Sequence, residues 1–324
     1  TKMKFATILT VAMLSFAGVA HANDGYPARP VTIIVGFPPG TATDSVARLL
    51  AESFSRSMGG SRFIIDNRAG QGGSIGATAV SKAEPDGYTL GVSASGPLAI
   101  NPHVYSNLRY NSRTDFTPVG QIVQLPYVLA VSKDAPYKTA AEFIAAAKAK
   151  PGIISYGSTG NGTTSHLMMA MLENASKTSF NHIRYRGTAQ SMTDILAGRL
   201  DATFDTLSGS LPFIQDGSVR ALAVSTKKRV ALLPDVPTTA EAGYPDVQGG
   251  AWLALVGPAN LPPDIVTKLS NALSTALKDE KMLENLQKLG TELDASSPEE
   301  LKTIMQRDLD RWGEIVKLTG AKAE

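Results

Sequence analysis

The sequence predicts an α/β protein made of two successive units of the same kind. Three observations predict it. Between residues 31 and 93, short apolar, β-branched runs alternate with stretches of helical periodicity, in the β-α-β-α-β order of a parallel sheet. A second copy of that pattern opens at Ile153. The length, 324 residues with 43% apolar and 19% charged, suffices for two modest domains with separate cores.

The first 22 residues stand apart from the fold. Lys2 and Lys4 precede an uncharged, mostly apolar run over 5–20, and Ala20-His21-Ala22 ends it with small residues at the two positions a signal peptidase reads. This predicts a secretory signal cleaved after Ala22, since the run is short of the roughly 20 residues a membrane span needs.

The first strand is expected over 31–35 and a Gly-, Pro- and Thr-rich turn over 36–43. Val46, Leu50, Phe54 and Met58, joined by Ala47, then mark one apolar face of a helix, with Asp44 or Thr43 expected as its N-cap. A strand follows over 63–66, a loop over 67–73, a small-residue helix over 74–83, a turn at Pro85-Asp86-Gly87 and a strand over 88–93. Residues 101–111 and 115–118 read as irregular or briefly helical, 119–123 and 127–131 as two strands. Thr139 and Glu142 form a capping box opening a helix that Pro151-Gly152 ends.

The second unit repeats the plan. A strand over 153–156 leads through the loop 158–164 to a helix over 165–176. Strands over 182–185, 202–204 and 221–224 alternate with helices over 189–197 and 208–216. A short helix is expected over 238–242 and a strand over 252–256. Helices follow over 263–278, 280–289 and 298–318, the last with a capping box at Ser297 and Glu300 and a C-cap at Gly320. An all-helical tail makes no domain by itself and is expected to pack on the first unit. The chain would then cross between units near 124–127 and 249–253, so that one lobe holds 23–125 plus 253–324 and the other 126–252.

Composition narrows the function. Without Lys2 and Lys4 the basic count falls from 31 to 29, against 29 acidic residues, so the mature chain is formally neutral and lacks the basic excess of a nucleic-acid binder. There is no cysteine, hence no disulfide, thiolate metal site or cysteine nucleophile. An exported, unanchored chain of this kind fits the periplasm.

The two strand-loop-helix junctions are the chemical candidates. The first loop has no Lys, Arg or His, so an anion held there would meet neutral donors at a helix N-terminus. The second, Gly157 to Thr164, approaches a phosphate loop, but Thr163 stands where that motif needs lysine. It also yields GxGxxS at Gly160 to Ser165, which fails the dinucleotide fingerprint. What survives is a neutral cradle of N–H groups and hydroxyls, or simply a well-capped loop. Ser158, His166 and Asp205 can be drawn into a hydrolytic triad, yet no GxSxG elbow exists and His166 fits a packing or capping role better. His21, His103, His166 and His182 show no metal-ligand spacing. Asp205, after the apolar run 202–204, is a candidate for the cleft, and Phe37 is the aromatic best placed to face a ligand.

The chain resembles the Bug-type periplasmic solute-binding receptors of tripartite tricarboxylate transporters over essentially the whole mature length. The marks are GFPPGTATD from Gly36 with Ala47-Arg48, NRAGQGGSIGA from Asn67, Pro85-Asp86-Gly87-Tyr88-Thr89-Leu90, and Asn101-Pro102 with Tyr105. The stretch Ser158 to His166, Tyr185-Arg186-Gly187, Gly198 with Phe204-Asp205, and 220–224 continue them. So do Leu233 to Thr238 with Glu241 and Gly243, Trp252, and Arg311-Trp312.

The resemblance implies a two-lobed, type II-like "Venus-flytrap" binding protein with its ligand cleft between the lobes. It implies a receptor without catalytic residues, metal or cofactor. The receptor would close over a small carboxylate, a dicarboxylate of aliphatic or aromatic kind, and deliver it as a monomer to integral-membrane permease subunits. The resemblance puts ligand contacts at Phe37, Gly40, Thr41, Thr43, Asp44, Ser93 and Ser95 of the first lobe. From the second it takes Ser158, Thr159, Gly160, Thr163, Thr164, Tyr185, Gly187, Thr188 and Asp205. Loop backbone and hydroxyls, often with bridging water, rather than an arginine, would hold the carboxylate. One departure concerns specificity: the family usually has FPAGG-x-x-D, and Pro39 and Thr41 here replace its alanine and second glycine, adding a methyl and a hydroxyl at Thr41. A receptor for a signalling partner and a hydrolase using Ser158 and His166 are the alternatives.

Overall fold

The computed structural model describes residues 25–323, so the expected export segment lies outside the described residues. The chain begins on β1 (Val31–Val35), buried at all positions but Thr32, as a strand covered by helices on both faces requires. Helix α1 (Ala42–Ser57) lays Val46, Leu50 and Phe54 on the core. Each such side chain contributes about 1.5–3 kcal/mol when removed from water. Strand β2 (Phe63–Asn67), helix α2 (Ser74–Ser81) and strand β3 (Thr89–Ala94) complete the unit, with β2 and β3 parallel to β1 on either side. A wide helical turn at Gly96–Ile100 runs into the short helix α3 (Asn101–Val104).

Strand β4 (Phe116–Ser132) is one 17-residue strand where the sequence predicts two. Helix α4 (Ala140–Ala149) follows, then β5 (Ser155–Ser158), α5 (Thr164–Ser176), β6 (Asn181–Arg184), α6 (Thr188–Leu196), β7 (Ala202–Thr206), α7 (Leu207–Gln215) and β8 (Val219–Val224). The chain returns through β9 (Gly250–Pro258) to α8 (Pro263–Ala276), α9 (Glu280–Lys288), β10 (Glu292–Leu293) and α10 (Pro298–Thr319).

The architecture is a two-lobed α/β fold whose sheets share β4. From Phe116 to Pro126 the strand pairs antiparallel with β9, and at Val123 and Gln124 with β10. From Tyr127 onward it pairs with β7 and β8 instead. Prolines at 118 and 126 punctuate the sequence locally. A neighbouring strand nevertheless pairs with β4 along nearly the whole length, on one flank near its start and on both from Val128, so pairing overrides the local breaks. The two-residue β10 has no pattern to read; it exists because β4 offers it an edge.

Three further local readings change. The 238–242 segment is a run of turns rather than a helix, held by Thr239, which donates its N–H to Val224 and its hydroxyl to Val247. The N-cap of α1 is Thr41, whose hydroxyl accepts from the Asp44 amide, while the Asp44 carboxylate is engaged elsewhere. At α4, Thr139 caps as expected, but Glu142 accepts from the Lys138 amide, one residue before the cap. The Ser297–Glu300 box is complete.

Two passages connect the sheets, at Leu125 to Tyr127 and at Gly249 to Ala251. Ser225 ties them: the Tyr127 amide donates to its hydroxyl at 3.0 Å, and that hydroxyl donates to the Gly249 carbonyl at 2.5 Å. Gly250 has φ +146°, and a Cβ there would meet the Leu125 carbonyl at 2.6 Å, so a side chain is excluded. The tail packs on the first sheet, α8 against α1 and β4, α10 against the 96–100 turn and β4. Buried Asp308 of α10 accepts from the Trp252 indole N–H at 2.7 Å.

Candidate ligand-binding site

A cavity of about 930 Å³ opens between the two sheets, lined by the loops that follow β1, β5, β6 and β7. Each of those loops feeds a helix: α1, α5, α6 and α7 begin at the cavity wall with Thr43, Thr164, Thr188 and Ser208. At α5, α6 and α7 no side chain caps the N-terminus, so first-turn N–H groups are left for whatever occupies the cavity. A helix N-terminus carries roughly half a positive charge, and four of them around one space favour an anion, with Arg186 of the β6–α6 loop the one cation these loops bring to it.

The first loop is shaped from below. Asp44, 2% exposed, accepts at Oδ2 from the Gly40 amide and Arg48 Nε, both at 2.9 Å, and at Oδ1 from Asn67 Nδ2 at 2.9 Å. Asn67 Nδ2 also donates to the Phe37 carbonyl. Burial alone would raise the Asp44 pKa; the donors from Arg48, Gly40 and Asn67, with the Arg48 charge, outweigh it and hold the carboxyl below its ordinary 3.8. Gly40 takes φ +82°, which leaves Thr41 at an ordinary φ of −72° and free to cap. The Thr41 hydroxyl donates to Pro38 O at 2.9 Å and accepts from the Asp44 amide, so the cap claims it. Thr43 is 5% exposed, lines the cavity, and its hydroxyl has no partner among the described residues.

The second loop is braced in the same way. The Ser158 hydroxyl sits 2.6 Å from His182 Nε2 and accepts from the Gly160 amide. His166 Nδ1 accepts from the Gly162 amide at 3.0 Å, and the two imidazoles stack with centroids 4.3 Å apart. Burial, then the charges of His166 and Arg184, push His182 down to about 4; burial lowers His166 as well. Both rings are therefore neutral wedges under the loop. Gly162 approaches Val104 of α3, bringing the lobes together.

Ten of the sequence-predicted residues line the cavity: Phe37, Gly40, Thr41, Thr43, Thr159, Thr163, Thr164, Gly187, Thr188 and Asp205. Six do not. Asp44 is turned under its loop, and Ser158 and Gly160 are bound up with His182 and Thr163. The Tyr185 hydroxyl donates to Asp194. Ser95, fully buried, accepts from the Trp252 amide, and Ser93 lies on β3 between its neighbouring strands. These six shape or flank the site rather than face it. The triad drawn from Ser158, His166 and Asp205 is not assembled: Ser158 meets His182, His166 meets Gly162, and Asp205 accepts from Thr188 Oγ1 and the Thr206 amide.

The structure adds residues that the sequence reading passed over. Asn101 lines the wall and donates to the carbonyls of Gln71 and Gly72, holding the glycine-rich loop beside Phe37. Tyr127 and Ala251 line the cavity from the two connecting passages. Arg186 and Lys288 bring cations to it. Asn101 and Arg186 stood inside recognised motifs; Lys288 carried no local signal.

Asp205 is the one carboxylate among the residues lining the cavity. It is 2% exposed, and burial raises its pKa against the two hydrogen bonds it accepts. The fold and this helix-ended cleft define a solute-binding receptor of the periplasmic binding-protein class. Residues 46–321 match the family described as tripartite tricarboxylate transporter family receptor, and the chain belongs to that family, whose members are receptors and not enzymes.

BugT of Bordetella pertussis is 33% identical over 312 residues, 95% of each chain. Among solved structures, R. palustris Rpa4515 with adipate is 34% identical, with TM-score 0.83 over 92% of this chain and 99% of that one. MatC from Rhodopseudomonas palustris with bound malate is 31% identical, with TM-score 0.79 over 90% of this chain and all of the other.

Proposed function

We propose that this chain captures a small dicarboxylate, aliphatic or aromatic, between its lobes. It would then deliver that ligand to the membrane permease subunits of a tripartite tricarboxylate transporter. The observation that carries the reading is the convergence of four helix N-termini on one cavity, three of them without a side-chain cap. Adipate in one relative and malate in another support the ligand class. The lobes divide at the two passages tied by Ser225, as 23–125 with 253–324 and as 126–252, and the chain works as a monomer in the periplasm after cleavage at Ala22.

Contacts come from Thr41, Thr43, Thr159, Thr163, Thr164, Gly187 and Thr188 and from the first-turn amides beside them, with Phe37 as the apolar wall. Asp44, Ser93, Ser95, Ser158, Gly160 and Tyr185 act by holding those groups in place. Closing the cleft excludes water and strengthens neutral hydrogen bonds that are weak in solution. Micromolar affinity, about 8 kcal/mol, needs only a few of them with some apolar contact.

A thermal-shift panel of mono-, di- and tricarboxylates, amino acids and aromatic acids on the purified protein tests this. Dicarboxylates should raise the melting temperature most. A rise with a neutral sugar or a nucleotide, and none with any carboxylate, refutes it.

A further inference from the structure

The neutral cradle accounts for one carboxylate and leaves the second without a partner. Asp205 limits where that second group can go. Its buried carboxyl lies in the wall beside the starts of α6 and α7, held by Thr188 and the Thr206 amide, so a second anion near it is favoured only where a cation offsets it. The distal end of a dicarboxylate therefore needs a cation on the exposed side of that wall.

Two cations stand there. Arg186, in the β6–α6 loop, lines the cavity with an exposed side chain. Its backbone amide is pinned by Gln190 Oε1 at 3.0 Å, while its guanidinium has no hydrogen bond or ion pair among the described residues. Lys288, in the last turn of α9, lines the same cavity, and its ammonium is likewise unpaired among the described residues. Helix α7 lies between them. On one flank Gly209 abuts Thr188, two residues from Arg186; on the other, Ser208 abuts Gly290, two residues from Lys288. One cation comes from each lobe, and both reach the same space past α7.

We propose that Arg186 and Lys288 form a distal carboxylate subsite, with Arg186 as the residue that selects a doubly charged ligand over a singly charged one. This rests on the carboxylate-receptor reading above. An unpaired, exposed arginine costs nothing to hold in the open cleft. It gains a bidentate, charge-assisted partner when a ligand whose other end sits in the cradle reaches it. Lys288, a point charge on a flexible stem, adds field rather than geometry. A cavity of about 930 Å³ leaves room for a chain joining cradle and rim.

The test is calorimetric titration of straight-chain α,ω-diacids from three to eight carbons, and of the matching monoacids, into wild type, Arg186→Gln, Arg186→Lys and Lys288→Gln, at low and at high salt. Wild type should bind its best diacid at least tenfold more tightly than the monoacid of equal length. Arg186→Gln should weaken that diacid by about 10- to 100-fold and leave the monoacid within about threefold, erasing the preference. Arg186→Lys should restore part of it, and Lys288→Gln should cost about two- to fivefold with a smaller salt dependence. Equal loss of diacid and monoacid in Arg186→Gln, or no loss of either, overturns the subsite and leaves the carboxylate reading standing. Wild-type protein that binds no acid of either series, with a native melting transition, overturns both.

Discussion

Replacing Asp44 with asparagine separates a residue that touches a ligand from one that shapes the loop which does. The carboxylate accepts three bonds, from the Gly40 amide and Arg48 at Oδ2 and from Asn67 at Oδ1. Asparagine offers one acceptor and one donor. If its amide nitrogen takes the Oδ2 place, it faces two N–H donors; if it takes the Oδ1 place, it faces the Asn67 amide, which cannot turn over without releasing the Phe37 carbonyl. At least one donor is left unpaired in a buried setting, and the surviving bonds lose their charge assistance. Each effect costs about 1–3 kcal/mol, so a total of about 2–4 kcal/mol is expected. For a chain of this length that lowers the melting temperature by about 3–7 °C. The Gly40 turn also loses its anchor, so carboxylate affinity should fall tenfold or more although Asp44 does not line the cavity.

Differential scanning calorimetry and titration of the tightest carboxylate of the panel measure both. The pH dependence supplies an independent check. The folded carboxyl is held below its ordinary 3.8, so its stabilisation is present above that pH and is lost as pH falls through the lower folded value. Asp44→Asn should remove that acid-side loss. A variant that melts within about 1 °C of wild type and binds with unchanged affinity refutes the idea that this network shapes the loop.

Three further outcomes are expected. His182 is held neutral down to about 4, so it contributes stability that is present above the ordinary 6.5 and lost as pH falls toward 4; denaturant titrations at stepped pH should show a flatter profile over that window in His182→Gln, and an unchanged slope refutes the assignment. Asp205, whose pKa burial raises, places negative charge in the wall as pH rises, so carboxylate affinity should weaken as pH climbs above the ordinary 3.8 in wild type and hold level in Asp205→Asn; parallel pH profiles by calorimetry count against it. Because the Thr41 hydroxyl caps α1, Thr41→Ser should stay within about 0.5 kcal/mol of wild-type stability and shift only ligand preference, whereas Thr41→Val should cost about 1 kcal/mol; equal melting temperatures for the two variants would show that the cap contributes nothing.

What could be read from the sequence was what a few neighbouring residues decide. The alternation of β-branched runs and apolar helical faces marks β1, α1, β3, α5 and α10, because burial of one face demands that period. The Ser297 capping box is likewise visible, its partners being three residues apart. So is the neutrality of both loops. The motifs also located ten residues at the cavity wall, because loop order follows chain order in an α/β fold.

Tertiary structure decided which side chains in those loops face the cavity and which hold the loop. Asp44 turns under because Asn67, 23 residues away, waits there; Ser158 turns away because His182, 24 residues away, does. The continuous β4 and the brief β10 depend on strands far away in the chain offering hydrogen-bonding edges. Lys288 reaches the cavity because Gly290 packs on Ser208. Local hydrogen bonds and periodicity are written in consecutive residues; a shared cavity forms only where distant segments pack, and the chemistry facing it is set by what each side chain finds on arrival.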